Sequence, residues 1–197
     1  MQKKVSKEVY VPSDDSFLLE KEILKKDLRK KTCLDLGTGS GIQAIAMLKA
    51  GAKIVVCADI NKEALKNAKE NIVKYLLQKG TQNIGQIFFI RTDLFKNLKD
   101  WKFDFIAFNA PYVPSEKIKW VDLDGGKKGR EITDKFITQF PGQLLFRGEV
   151  LLLISSLNAP QEIISILKKK DFLAKVVAKK KLFFEELMVL KIKKDLN

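Results

Sequence analysis

Hydrophobic and polar positions change their period along this chain, with short apolar runs alternating with longer stretches of helical spacing. The apolar runs Thr32–Leu36, Lys53–Ala58, Gln86–Ile90, Phe103–Phe108 and Glu149–Ile154 read as strands. Phe172–Ala178 and Phe184–Ile192, separated by a short link, read as two more that pair as an antiparallel hairpin. Helices are predicted between them. The first follows the capping residues Ser13-Asp14-Asp15-Ser16 and runs to about Arg29. Ile42–Lys49 stops at Gly51, and Lys62 to about Gln78 gathers Ala64, Leu65, Ala68, Ile72 and Tyr75 on one side. Ile132–Phe146 reads as mostly helical with a break near Pro141-Gly142, and Ala159-Pro160 opens a last helix. The alternation implies a doubly wound α/β fold, a mostly parallel seven-stranded sheet with helices on both faces and a C-terminal antiparallel hairpin. No repeat or Gly/Ser-rich linker divides it, so 1–197 reads as a single domain with 1–30 as its N-terminal segment and helix.

Composition changes this picture in two places. The chain has no histidine, which excludes a Ser-His-Asp triad, a Cys-His dyad and imidazole acid/base chemistry. The net charge is +13, but only four of the 37 basic residues are arginine (Arg29, Arg91, Arg130, Arg147). Base-edge and phosphate recognition favours the planar guanidinium fork, so dispersed lysine argues for a solvated surface more than a nucleic-acid groove. Cys33 and Cys57 lie in apolar runs without a C-x-x-C pair, which predicts two buried thiols and no metal site. The polar N-terminus and the lack of a membrane-length apolar run point to a cytoplasmic protein.

The candidate chemistry begins at Leu34-Asp35-Leu36-Gly37-Thr38-Gly39-Ser40-Gly41, where a buried strand enters a glycine-rich turn and then a helix. Glycines there let the backbone approach a ligand and leave amides free at the helix start. A dinucleotide fingerprint would need its last glycine where Ile42 stands. Asp59 ends the second strand, where a carboxylate can accept both hydroxyls of a ribose, which supports a nucleoside cofactor without choosing which. Asp93 and Leu94 follow the third strand in the same way. The fourth strand ends in Asn109-Ala110-Pro111-Tyr112. The Asn109 side-chain oxygen and the Ala110 carbonyl can each accept one N–H of a planar NH2 group, while Tyr112 offers a face to stack on it. A target of that kind is an exocyclic base amine or a glutamine amide.

The G-x-G-x-G turn with its strand-end acids resembles the cofactor loop of class I S-adenosylmethionine methyltransferases, and Asn109–Tyr112 resembles their [DN]-P-P-[YFW] motif with Ala110 in place of proline. Val9-Tyr10-Val11-Pro12-Ser13-Asp14-Asp15-Ser16-Phe17-Leu18-Leu19 is similar to the opening segment of the HemK-like release-factor methyltransferases, archaeal and eukaryotic branch. Asp124-Gly125-Gly126-Lys127-Lys128-Gly129-Arg130-Glu131 resembles the Gly-Gly-x-x-Gly-Arg-Glu segment of that branch. The resemblance implies a Rossmann-like enzyme that methylates N5 of the glutamine in the Gly-Gly-Gln motif of a class I peptide release factor. S-adenosylmethionine would be its cofactor, S-adenosylhomocysteine its product, and no metal would take part. By the same resemblance Gly37, Gly39 and Gly41 cradle the cofactor, Ser16 touches it from the first helix, and Asp35 sits near its methionine moiety. Asp59, Asp93, Leu94 and Asn109 complete its site. Asn109 and Tyr112 would be catalytic, and Ala110 and Pro111 would help hold the glutamine.

Members of this branch are typically partnered by a small zinc-binding activator beside the third strand. Ile87-Phe88-Phe89-Ile90 lacks polar alternation, the pattern of a strand covered by helices on both faces, with a partner-covered edge as the alternative. An RNA or DNA amino-methyltransferase would use the same acceptor chemistry. It would call for a target-recognition domain or an Arg-rich aromatic groove, and the core uses nearly all of the chain.

Overall fold

The structure, a computed structural model, describes residues 10–79, 85–113 and 129–196. Val9 and residues 124–128 of the two family-like segments lie outside the described residues. The strands are β1 (Thr32–Leu36), β2 (Ile54–Asp59), β3 (Gln86–Arg91), β4 (Phe103–Asn109), β5 (Leu144–Ser155), β6 (Phe172–Lys181) and β7 (Glu186–Lys194). They form one sheet in the order β3-β2-β1-β4-β5-β7-β6. The first five run parallel, and β7 is antiparallel to both β5 and β6. The helices are α1 (Asp14–Leu24), α2 (Ile42–Lys49), α3 (Lys62–Lys79), α4 (Glu131–Gln139) and α5 (Pro160–Lys168).

Strand alternation divides the core into two layers. Cys33, Val55, Cys57, Phe105 and Ala107 pack with α1, α2 and α3 on one face. Leu34, Leu36, Val56, Ile106 and Phe108 pack with α4 and α5 on the other. A chain of aromatic contacts, Phe95 with Phe136 and Phe136 with Phe108 and Phe140, fills the second layer. The same parity decides the chemistry, because it puts Asp35 toward α2 and Asn109 toward α1.

Two helix ends and the setting of one strand differ most from the sequence expectation. The first helix ends at Leu24, not near Arg29. Buried Leu28 keeps the apolar period, but its N–H donates to the Ala50 carbonyl, and Arg29 bridges Ala52, so tertiary pairing takes the backbone. The helix expected through Phe146 stops at Gln139, and Phe140–Gly142 tightens into a 3-10 turn containing Pro141. From there β5 starts at Leu144, paired with Phe103 across an irregular register, and not at Glu149. The third difference is β3. Its apolar run favoured burial between helices, yet it is an edge strand on which no residue is fully buried, and Phe88 is 40% exposed. The opposite edge, β6, carries exposed Lys175, Lys179, Lys180 and Lys181, a common way to block edge pairing. These lysines belong to the solvated surface.

Candidate functional site

The strand order reverses direction at β1, between β2 and β4, and in open α/β sheets that reversal leaves a crevice at the carboxyl ends of the strands. A cleft lies there. Its floor is the turn Gly37–Ser40 and its walls come from the ends of β2, β3 and β4 and the start of α1.

The turn is held from three sides. Asp35, 1% exposed, accepts from the Thr38 hydroxyl at 2.7 Å and the Ala44 N–H at 3.0 Å, joining the turn to α2. Burial, reinforced by the charge of Asp59 and opposed by those two hydrogen bonds, pushes the Asp35 carboxyl up to about 7. Asp59 accepts from the Gly39 N–H at 3.0 Å and the Asn61 N–H at 2.9 Å. From α3, Asn71 donates to the Ser40 carbonyl at 2.9 Å. Gly41, the N-cap of α2 with φ +77°, sits against Ala68 of α3.

Of the residues expected to touch a cofactor, Ser16, Gly37, Gly39, Asp59, Asp93, Leu94 and Asn109 line the cleft. Asp35 and Gly41 do not, because they stand behind the turn and shape it. The expected acceptor residues Asn109, Ala110, Pro111 and Tyr112 all line it. Asn109 donates through Nδ2 to Asp15 at 3.1 Å, whereas its Oδ1 is buried and accepts from no donor among the described residues. The loop after β4 is fixed from below by Asn158, which is fully buried. Asn158 donates to the Tyr112 carbonyl at 2.9 Å and to the Gly129 carbonyl at 2.8 Å, and accepts from the Ser155 N–H at 2.8 Å.

Sequence reasoning passed over three residues. Asp15 reads as a helix-cap acid, but it is 2% exposed and turned into the cleft, accepting also from Tyr10 at 3.1 Å and Tyr112 at 3.4 Å. Burial first, then the Asp15 charge, raises both phenols far above the ordinary tyrosine range. Gln43 donates to the Ser16 carbonyl at 2.9 Å, while its Oε1 is buried without a partner among the described residues. Asn158 gave no sequence signal beyond an asparagine before Ala159-Pro160.

The lining chemistry is selective. Asp15, Asp59 and Asp93 face the cleft, and no lysine or arginine does among the described residues, in a chain of net charge +13. Such a cleft repels phosphate and suits a ligand with hydroxyls and positive charge. With two acceptors unpartnered among the described residues, Gln43 Oε1 and Asn109 Oδ1, its acceptor set fits S-adenosylmethionine, a nucleoside bearing an ammonium and a sulfonium, better than a dinucleotide.

A seven-stranded sheet of this order, with an acidic cleft at its switch point and an Asn-x-Pro-Tyr loop beside it, defines a Rossmann-like methyltransferase. The profile of the Methyltransferase small domain family matches residues 13–184, and the chain belongs to that family. A Methanocaldococcus jannaschii protein provisionally named a protein N5-glutamine methyltransferase is 42% identical over 193 residues, covering 95% of this chain and 92% of its own. Human methyltransferase HEMK2 is 31% identical over 202 residues, covering 95% and 91% of the two chains. Among solved structures, a chain of the E. cuniculi Mtq2–Trm112 complex, described as responsible for methylation of the eRF1 translation termination factor, superposes with a TM-score of 0.73. It is 26% identical and covers 95% of this chain and 99% of its own.

Proposed function

We propose that this chain transfers a methyl group from S-adenosylmethionine to the side-chain amide nitrogen (N5) of the glutamine in the Gly-Gly-Gln motif of a class I peptide release factor. The observation that carries the reading is the orphaned Oδ1 of Asn109, which accepts from no donor among the described residues and belongs to a residue lining a cleft that no described lysine or arginine lines. The names of the M. jannaschii relative and of the E. cuniculi complex support a protein-glutamine acceptor.

The cofactor, when bound, supplies a methyl group activated by the positive sulfonium. On this reading the Asp59 carboxylate holds the ribose hydroxyls, Asp93 and Leu94 hold the adenine, and Ser16 and Gln43 border the amino-acid end. Asp35 acts through the turn it pins. The chain's work on the acceptor is orientation. A glutamine amide nitrogen is a poor nucleophile because its lone pair is delocalised. Asn109 Oδ1 and the Ala110 carbonyl each accept one of its N–H groups, which fixes its direction and favours the positive charge it develops. Tyr112 stacks on the amide plane. Ala110 is buried in the core, and its acceptor is a backbone carbonyl, so losing the usual proline ring removes no contact to the substrate. The methylated amide sheds its proton to water, and no histidine is needed.

The β3 edge, with half-exposed Phe88, is the surface proposed for a small zinc-binding activator, and the Trm112 subunit of the E. cuniculi complex supports such a partner. The reaction belongs in the cytoplasm with its release-factor substrate. No helix among the described residues is long and apolar enough to cross a membrane. The test supplies radiolabelled S-adenosylmethionine with recombinant release factor or with total RNA. Label is expected in the factor; label in RNA alone would overturn the acceptor assignment in favour of a base amine.

A further inference from the structure

We propose that Asp15 is a positioning residue that sets the polarity of the Asn109 amide and so decides which kind of acceptor atom the site can hold. The inference rests on the acceptor reading above and adds a residue to it.

A carboxamide has two ends of nearly equal shape and opposite hydrogen-bonding sense, so its orientation is chosen by its neighbours. Asn109 ends β4 on the α1 side, and the neighbour it meets there is Asp15, the second residue of α1. The Asp15 carboxylate is filled by donors. Its Oδ1 takes the Ser16 N–H at 2.5 Å and the Ser16 hydroxyl at 3.1 Å. Its Oδ2 takes Tyr10, Asn109 and Tyr112. Its place in the first turn of α1 favours negative charge there. A carboxylate offers only lone pairs, so the NH2 end of Asn109 turns toward it and the oxygen end is left over. That leftover oxygen is the orphan.

The raised phenols complete the arrangement. Tyr10 and Tyr112 remain protonated donors at any working pH, so Asp15 never faces a competing anion from them. If Asn109 flipped, it would present N–H groups to an incoming NH2, donor against donor, and the acceptor would be rejected. Asp15 touches neither reacting atom. It acts by forbidding that flip.

The test is a polarity swap. Asp15→Asn frees the Asn109 amide to flip, and Asn109→Asp sets two carboxylates against each other. Each single variant is expected to lower kcat for release-factor methylation by about 10- to 100-fold, with KM for S-adenosylmethionine changed less than about threefold. The double variant restores one donor and one acceptor at the same two positions, and should recover to within about tenfold of wild type. A double variant as poor as the product of its parents would overturn the proposal, since a structural role for Asp15 gives no reason for rescue.

A second readout needs no acceptor. Sinefungin carries an amine where S-adenosylmethionine carries its methyl-sulfonium, so its affinity relative to S-adenosylhomocysteine reports whether an oxygen faces that position. The calorimetric ratio should favour sinefungin in wild type, fall about tenfold in Asp15→Asn and return in the double variant. An unchanged ratio in Asp15→Asn sinks the idea. A wild type that leaves the release factor unlabelled defeats the acceptor assignment alone, and the ratio then decides the polarity claim. Should Asp15→Asn fail to fold, wild-type NMR replaces it. One exchange-protected pair of Asn109 side-chain NH2 signals is expected, and two pairs would contradict a fixed amide.

Discussion

Gly41→Ala separates the packing role of the third glycine in the turn from the ligand-facing role of the second. An alanine Cβ at 41 would lie 3.1 Å from both Cα and Cβ of Ala68 and 3.3 Å from its carbonyl oxygen, all on the rigid body of α3. Residue 41 also has φ +77°, a left-handed conformation that costs an alanine about 1–2 kcal/mol. Pushing α2 and α3 apart by a few tenths of an ångström adds about 1–3 kcal/mol. The lower chain entropy of the unfolded alanine variant returns about 0.4–1 kcal/mol. The net loss is about 1–5 kcal/mol, which for a domain of this size lowers Tm by about 2–18 °C. Gly39→Ala is the control. Its φ is +50°, but its Cβ would meet nothing closer than the Gly37 carbonyl at 3.9 Å, so it carries strain without a clash. Gly39 lines the cleft and Gly41 does not. Circular-dichroism melts and calorimetric titration with S-adenosylhomocysteine should therefore diverge. Gly41→Ala should mainly lose stability, and Gly39→Ala should mainly lose affinity. A Gly41→Ala melt within a degree of wild type would refute the packing argument.

Asp35→Asn should remove a pH dependence. The carboxyl is raised from 3.8 to about 7 in the fold, so its contribution is fully present below its unfolded value and is lost as pH rises through about 7. The difference across that window is on the order of 4 kcal/mol. Urea unfolding at several pH values should show wild type losing stability relative to Asp35→Asn between pH 4 and 7, and parallel profiles would contradict this. Asn158→Ala strands two carbonyls and one N–H in a fully buried position. It should cost about 2–4 kcal/mol and lower kcat more than it raises KM for the cofactor. A variant with wild-type stability would show that Asn158 does not clamp the acceptor loop.

The sequence carried the sheet and the cofactor end well, for a physical reason. Strand runs, glycine turn and strand-end acids are local patterns, and each reads without knowledge of its neighbours. The boundaries it misjudged are places where long-range pairing overrides local period, as at Leu28 with Ala50 and Leu144 with Phe103. Edge position is likewise a property of topology, so Ile87–Ile90 looked like a buried strand until the order put β3 outermost. Asp15 hid because an acid in the first turn of a helix has an adequate explanation as a cap. Its partners Asn109 and Tyr112 stand more than 90 positions away in the chain. Asn158 hid for the same reason, since beyond its local bond to Ser155 it serves two carbonyls brought to it by the fold. The charge also changed meaning. A net +13 by itself invites a polyanion, yet no lysine or arginine lines the cleft among the described residues, while β6 displays lysine to solvent.

Peptide mapping locates the amide acceptor that Asn109 is proposed to hold. Release factor incubated with the enzyme and S-adenosylmethionine is digested, and tandem mass spectrometry locates the added methyl group. One methyl is expected on the glutamine of Gly-Gly-Gln, none on a Gly-Gly-Ala substrate, and none with Asn109→Ala enzyme that still binds S-adenosylhomocysteine. A methyl group on another residue, or undiminished transfer by Asn109→Ala, would overturn the role of Asn109 as holder of a glutamine amide.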